Sequence, residues 1–405
     1  MSGTGPAGPG DDPFGFGGTP FLGDLAKMLQ GAGSGSGGGW ETARQLAMQL
    51  ATGGEPEPNP DPMDRLALEE LARVAELRVG AVTGLDVSTT GRPLTVVPVT
   101  RSEWARRTID AWRPLLERLA QSITGPALAG AEEADLHSDP DDPMASMFGG
   151  LVQMLGPMML GLQAGSMVGH LAGRSLGQYD LPIPRPPSDE LVVVGRNVRD
   201  FGDEWTLPVD DLRLWICLSE ITTHAVLGVP HVRAALDGAL QDHATSFAID
   251  TGIIESRLMG IDPTNPEALQ DALGDPESLL GEIQSDVQRS IQPRLRALTA
   301  VIVGYVDHVM DTIGGELISS YSMLTEALHR RRVETGQGER FVELLLGFEL
   351  GREQFERGET FVRGVLDRGG EAALARLWTS PRELPTPNEV DAPGLWLARI
   401  DLPDN

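Results

Sequence analysis

Leu218–Val232 reads LSEITTHAVLGVPHV. A zinc-binding helix of the H-E-x-x-H kind sets two His one turn apart, with a Glu between them as base. Glu220 stands in that register here, but Ser219 and Thr223 occupy the flanking positions and His224 follows one place later. At about 100° per residue, positions 219 and 223 leave a helix on one face, where two imidazoles could share a tetrahedral metal. Neutral hydroxyls are poor zinc ligands beside imidazole, thiolate or carboxylate. Glu220 and His224 are also four residues apart, on a neighbouring face. They read either as a displaced ligand pair or as a Glu–His hydrogen bond within the helix. His231, past Val229-Pro230, reads as a polar surface or packing residue.

Helical patterning extends outward from this stretch in both directions. Pro208 and Asp210 mark the start of its own helix, with Asp210 as the N-cap, and Gly228-Val229-Pro230 its end. Upstream, Met63, Leu66, Leu68, Leu71, Val74 and Leu77 form an apolar stripe at helical spacing. Ser102 reads as the cap of a helix from Glu103 to about Ile123. Downstream, helices are expected at about 231–247, 266–273, 276–291, 293–313, 315–334, 338–368 and 370–377. Only Leu191–Val194 reads as a clear strand, so the fold class is mainly α with few short strands. Three regions are expected: a Gly/Pro-rich tail over 1–60 with short helices near Phe21–Leu29 and Trp40–Ala51, a helical domain over 61–190, and a second over 191–405 that carries the Glu220 helix.

Met144–Gly173 contains no Asp, Glu, Lys or Arg. Its length would suit a membrane span, but frequent Gly, Pro157 and the polar Gln153, Gln163 and His170 weaken its hydropathy. Gly161, Gly165, Gly169, Gly173 and Gly177 recur every four residues, a ridge that lets another helix approach closely. The expectation is a buried helix of a soluble protein.

Bulk composition excludes several classes. The chain has 405 residues, 40% of them apolar and 5% aromatic, with a net charge of −27. That balance opposes nucleic-acid phosphates and anionic membrane surfaces. Cys217 is the single cysteine, so no internal disulfide or Cys-rich zinc site can form, and a reducing compartment fits. The N-terminus lacks the basic and apolar regions of a secretion signal, which points to the cytoplasm. Two G-x-G-x-x-G matches, at Gly3 and Gly33, follow no strand and do not read as dinucleotide sites. No G-x-x-x-x-G-K or G-x-S-x-G pattern is present, and Cys217 reads as a small buried apolar residue. Ser219, in mid-helix, lacks free backbone N–H groups for an oxyanion hole and is no credible nucleophile.

Several separate segments, in order, resemble the zinicin-like metallopeptidase type 2 family of zinc-dependent metalloproteases and hydrolases. They are GWETARQLA (Gly39–Ala47), SLGQYDLPIP (Ser175–Pro184), the run Val192–Glu220, VGYVDHVMD (Val303–Asp311) and LPTPNEVDAPGLWLARI (Leu384–Ile400). The resemblance implies a zincin-like fold. It lays the family's two helix ligands on Ser219 and Thr223, its general base on Glu220 and its third ligand, a Glu, on Val303. His224 then matches an extra His that follows the second ligand, and Asp307 and His308 match groups that support the ligands. None of the three ligand positions carries a ligand, which implies a member with a degenerate metal site. No cofactor is expected, and the partner is a peptide, protein or small molecule in the cleft. The alternative is a metal-dependent hydrolase with an altered site. It would draw on Glu220, His224, Asp307 and His308, or on a carboxylate such as Glu255, and carboxylate-rich ligation would favour Mn²⁺ or Mg²⁺.

Overall fold

The computed structural model describes residues 38–137, 161–246, 286–333, 342, 345–348 and 351–402. The expected helices at Phe21–Leu29 and 266–273, most of the one at 276–291, and Glu255 lie outside those residues.

The chain is mainly α-helical, with two short strands. α1 (Gly38–Thr52) turns Ala43, Ala47 and Ala51 inward at four-residue spacing. α2 (Pro62–Thr83) starts on Asp61, whose side chain accepts from Met63 N at 2.9 Å, and ends on Gly84 at φ 65°. Its buried face is Leu68, Ala72, Ala75 and Val79, whereas Met63, Leu66, Val74 and Leu77 are exposed. The apolar stripe read from sequence was therefore turned too far around the helix. Small alanines, not the larger residues, let α2 sit close on its neighbours.

β1 (Thr95–Val99) pairs in parallel with β2 (Glu190–Val194), with Thr95 opposite Glu190 and Val99 opposite Val194. β2 appears where a strand was expected, and β1 is a second strand beside it. α3 spans Arg101–His137, beyond the expected end near Ile123. Its start is capped by Thr100 Oγ1, which accepts from Glu103 N, and by Glu57, which accepts from Arg101 N and Ser102 N. Ser102, expected as the cap, instead donates its hydroxyl to Glu57.

Residues 161–172 form the next helix, α4. A methyl added at Gly161 would lie 3.0 Å from Gly39 O, and one at Gly169 2.7 Å from Leu50 Cβ. The glycine ridge thus seats α1 at backbone distance. The ridge has three members in the helix, not five. Gly173 follows α4's last turn without touching α1, and Gly177 lies in the loop beyond.

α5 (Gly195–Trp205) leads through Thr206, at φ 54°, to α6 (Val209–Gly228). Pro208 holds the N-cap position of α6, while Asp210 lies in its first turn and accepts from Arg213. From Ile216 to Leu227 almost every residue is buried, the mark of a helix surrounded by others. α7 (Pro230–Thr245) follows at 86° to α6. α6 and α7 together pass a length-and-apolarity test for a broken span, but no single helix among the described residues does.

α8 (Asp286–Leu317) runs through Pro293 and past Gly314, where breaks were expected. α9 (Tyr321–Val333) and α10 (Arg352–Leu374) flank it, and α10 kinks at Gly370 with φ 67°. α8 and α10 touch through glycine. A methyl on Gly304 would run into the Gly358 backbone, and one on Gly358 into Ala300 O. α11 (Pro387–Asp391), with a Thr386/Glu389 capping box, and α12 (Pro393–Ile400) close the chain. Trp396 is buried edge-on against Phe361, with centroids 5.6 Å apart. Most of the buried apolar residues described, from Ala47 to Ile400, form one contiguous cluster that runs through α6.

Candidate functional site

Glu220 is buried in the middle of α6 and faces the loop that carries the GQYD segment. Gln178 N donates to its Oε2 at 2.9 Å, and Tyr179 N lies 3.0 Å from both oxygens. Gly177 is needed here, because a Cβ would fall on the Glu220 carboxylate. The loop has other anchors. Asp180 accepts from Leu176 N and Gly177 N, Trp104 Nε1 donates to Gly177 O at 2.7 Å, and Arg331 donates to Asp180 Oδ2 at 2.8 Å. Burial raises the Glu220 carboxyl to about 8, the charge of Asp180 adds to this, and the N–H groups of Tyr179 and Gln178 oppose both.

His224, one turn on, does not bond Glu220. Its Nδ1 is 3.0 Å from Tyr179 Oη, and its Nε2 is 3.7 Å from Asp189 Oδ1, beyond hydrogen-bond reach. Glu220 and His224 thus meet the same tyrosine, one through its backbone and the other through its hydroxyl. Burial holds the imidazole below its ordinary pKa and outweighs the opposing charge of Asp189. Asp189 gathers the hydroxyls of Thr90, Thr89 and Ser88 and the N–H groups of Thr89, Thr90 and Arg92. Burial opposes its ionisation, but these donors together hold it well below the usual carboxylate range.

Arg185 lies nearby, fully buried, with its guanidinium 5.6 Å and 5.8 Å from the ring centres of Trp104 and Trp112. Arg185 Nη2 donates to Thr108 Oγ1 at 2.9 Å, and burial lowers the group to about 10.

Ser219, Thr223 and Val303 line one cavity of about 150 Å³ between α6, α8 and the GQYD loop. Thr223 Oγ1 donates to Ser219 O at 2.9 Å. Asp307, one turn after Val303, lines the same cavity and binds Arg332 through two hydrogen bonds, at 2.9 Å and 3.0 Å. A larger cleft of about 780 Å³ opens between α8, α9 and α10 and shares Asp307, Arg332 and Phe355 with the first. His308 lines that cleft, 3.1 Å from Glu371 Oε1. His231, at the start of α7, packs with Nε2 3.3 Å from Leu377 O. Cys217 is wholly buried, and burial raises its thiol to about 12.

The fold therefore gathers Ser219, Thr223, Val303 and Asp307 around one space, turns Glu220 and His224 toward the GQYD loop, and sets His308 in the neighbouring cleft. Among the described residues no three of His, Cys, Asp and Glu are placed to share a metal ion. The side chains at 219, 223 and 303 offer two hydroxyls and three methyl groups, and both oxygens of Glu220 are engaged by backbone N–H. This donor set does not fit zinc. Sequence reading passed over Tyr179, Asp180, Asp189, Arg331 and Arg332. The first two stood inside a quoted signature. No local pattern marks Asp189, shortly after that segment, or Arg331 and Arg332, which reach the site from α9, far along the chain.

α6, with Glu220 at the centre of the molecule, packs against the long helix α8, and both line the cavity. The family model of the zincin-like metallopeptidases matches residues 39–397, and the chain belongs to that family. A crystal structure from Chloroflexus aurantiacus, described as a candidate hydrolase with a novel fold, shares the fold at TM-score 0.56 and 22% identity, over 90% of this chain and 99% of that one. No curated protein matches the chain.

Proposed function

We propose that this member of the family has lost zinc and peptidase activity and acts as a non-catalytic binding protein, with its ligand in the cavity and cleft beside α6. The observation that carries this reading is the shared cavity of Ser219, Thr223 and Val303. The resemblance places all three family ligands on these residues, and none of the three can replace an imidazole or a carboxylate at a zinc ion. The environment of Glu220 supports the same reading. A base must reach the proton it abstracts, and this carboxylate is buried and engaged by the loop. Without a metal, water keeps a pKa of about 15.7, and the chemistry that lowers it is missing.

Metal content tests the proposal. Full-length protein dialysed against equimolar Zn²⁺, Mn²⁺ or Mg²⁺ should retain none of them; retention near one ion per chain refutes it. The triple variant Ser219→His, Thr223→His, Val303→Glu should bind zinc near one per chain. If it folds and binds none, the ligand positions are misplaced.

A further inference from the structure

We propose that the outer face of α2 pairs with the same face of a second copy of this chain, the two helices running antiparallel about Glu70. None of the residues involved lines the cavity or the cleft, so the pairing is separate from the site beside α6.

The first observation is an apolar line left open to solvent. One face of α2 packs on α6 and β1. On the other, Met63, Leu66, Val74 and Leu77 are 67%, 54%, 44% and 73% exposed. At about 100° per residue these four lie within an arc of about 80°. Single exposed apolar residues are ordinary on a protein surface, whereas a continuous line of them marks a contact with another macromolecule.

The second is symmetry, which selects the partner. Leu66 and Val74 stand four residues either side of Glu70, and Met63 and Leu77 stand seven residues either side. Such a palindrome is self-complementary across a two-fold axis, where residue i meets j and j meets i. Two antiparallel copies set Met63 opposite Leu77 and Leu66 opposite Val74 at both ends of the contact.

The third is charge. Glu70 and Arg73 are exposed on the same face and make no hydrogen bond or ion pair among the described residues. In the antiparallel pair Glu70 lies about 4.5 Å along the axis from Arg73 of the second copy, three residues at 1.5 Å each. Two equivalent Glu–Arg pairs then flank the axis and offset the approach of the two Glu70 carboxylates. Ala67, the position that faces Arg73, is small and leaves room for it. Exposed ion pairs add little strength, but they fix register. The apolar line is about 21 Å long, which sets the contact at the small, weak end of specific interfaces.

Sedimentation velocity of the full chain from about 1 to about 300 μM, in about 0.15 M salt to screen the net charge of −27, tests the pairing. The wild type should pass from monomer to dimer with a dissociation constant of roughly 10–100 μM. Leu66→Glu with Leu77→Glu, both at exposed positions, should leave a monomer throughout, and Leu77→Glu alone serves if the double variant fails to fold. Glu70→Arg and Arg73→Glu should each weaken the dimer at least about five-fold. An equimolar mixture of the two should regain it, because each then supplies the charge that the other lacks. Cys217 is buried, so introduced cysteines can be read alone. Oxidation should join Met63→Cys to Leu77→Cys in a mixture. It should not join Met63→Cys to itself, because those positions lie about 21 Å apart, beyond disulfide reach. A chain that stays monomeric across the range overturns the inference, as does a dimer untouched by the Glu substitutions. So does a mixture of the charge variants that fails to recover, or a disulfide between two Met63→Cys chains.

Discussion

Replacing Glu220 by Gln keeps an acceptor oxygen for the N–H groups of Gln178 and Tyr179 but removes the ionisation. In the folded chain this carboxyl titrates at about 8 against an ordinary 4.5, mainly through burial and then through the charge of Asp180. A raised acid holds its proton more tightly folded than unfolded. Its stabilising contribution is therefore complete below pH 4.5 and is lost as pH rises through about 8. At about 1.4 kcal/mol per unit, and with half the sites still protonated at the folded pKa, the loss between about pH 6 and pH 8 comes to about 2 kcal/mol. His224 and His243, held low by burial, act in the opposite direction: their contributions grow as pH rises toward 6.5. They are common to both proteins and cancel in a difference. Urea unfolding of wild type and Glu220→Gln across this range isolates the term. The wild type should lose about 2 kcal/mol relative to the variant. Parallel curves would refute the account of Glu220 as a buried, proton-binding anchor of the loop.

Other substitutions probe the frame around the site. Gly177→Ala drives a methyl into the Glu220 carboxylate and should destabilise by about 1–3 kcal/mol in urea unfolding; a neutral result would mean that the loop is loosely held. Gly358→Ala forces α8 and α10 apart and should cost at least as much, whereas Gly315→Ala, with open space around it, should gain about 0.5–1 kcal/mol. Equal effects from the two would count against the close α8–α10 contact. Asp189→Ala strips the partners from Thr89, Thr90 and Arg92 and should cost more than about 2 kcal/mol above pH 3.8, where the native aspartate is charged in both states. That difference should shrink as pH falls into strong acid, where the native aspartate too becomes protonated.

Patterns that depend on neighbours in the chain were legible. Helical spacing gave the helical class and most helix positions, the glycine run gave the close helix contact, and the kink at Gly370 fell at the start of the second of two expected helices. Register within α6 placed Ser219 and Thr223 on one face, and the fold turns both to the same cavity as Val303. What failed depends on partners far away in sequence. The face of α2 was misjudged because Ala72 and Ala75 bury a helix as well as Leu does where the neighbour comes close. Ser102 looked like a cap because Glu57, which takes that role with Thr100, lies 45 positions earlier. The Glu220–His224 bond was the natural local guess. It yielded to Gln178 and Tyr179, whose N–H groups nothing in α6 announces.

The Glu220 anchor also bears on how reversible the family chemistry is in this chain. Under the proposed reading, three substitutions on two helices could return a metal to the cavity. The carboxylate beside it would still be committed to the GQYD loop, and freeing it would unseat that loop. Metal capture and hydrolysis would therefore return separately: the triple variant should gain a zinc ion and still fail to cut a peptide.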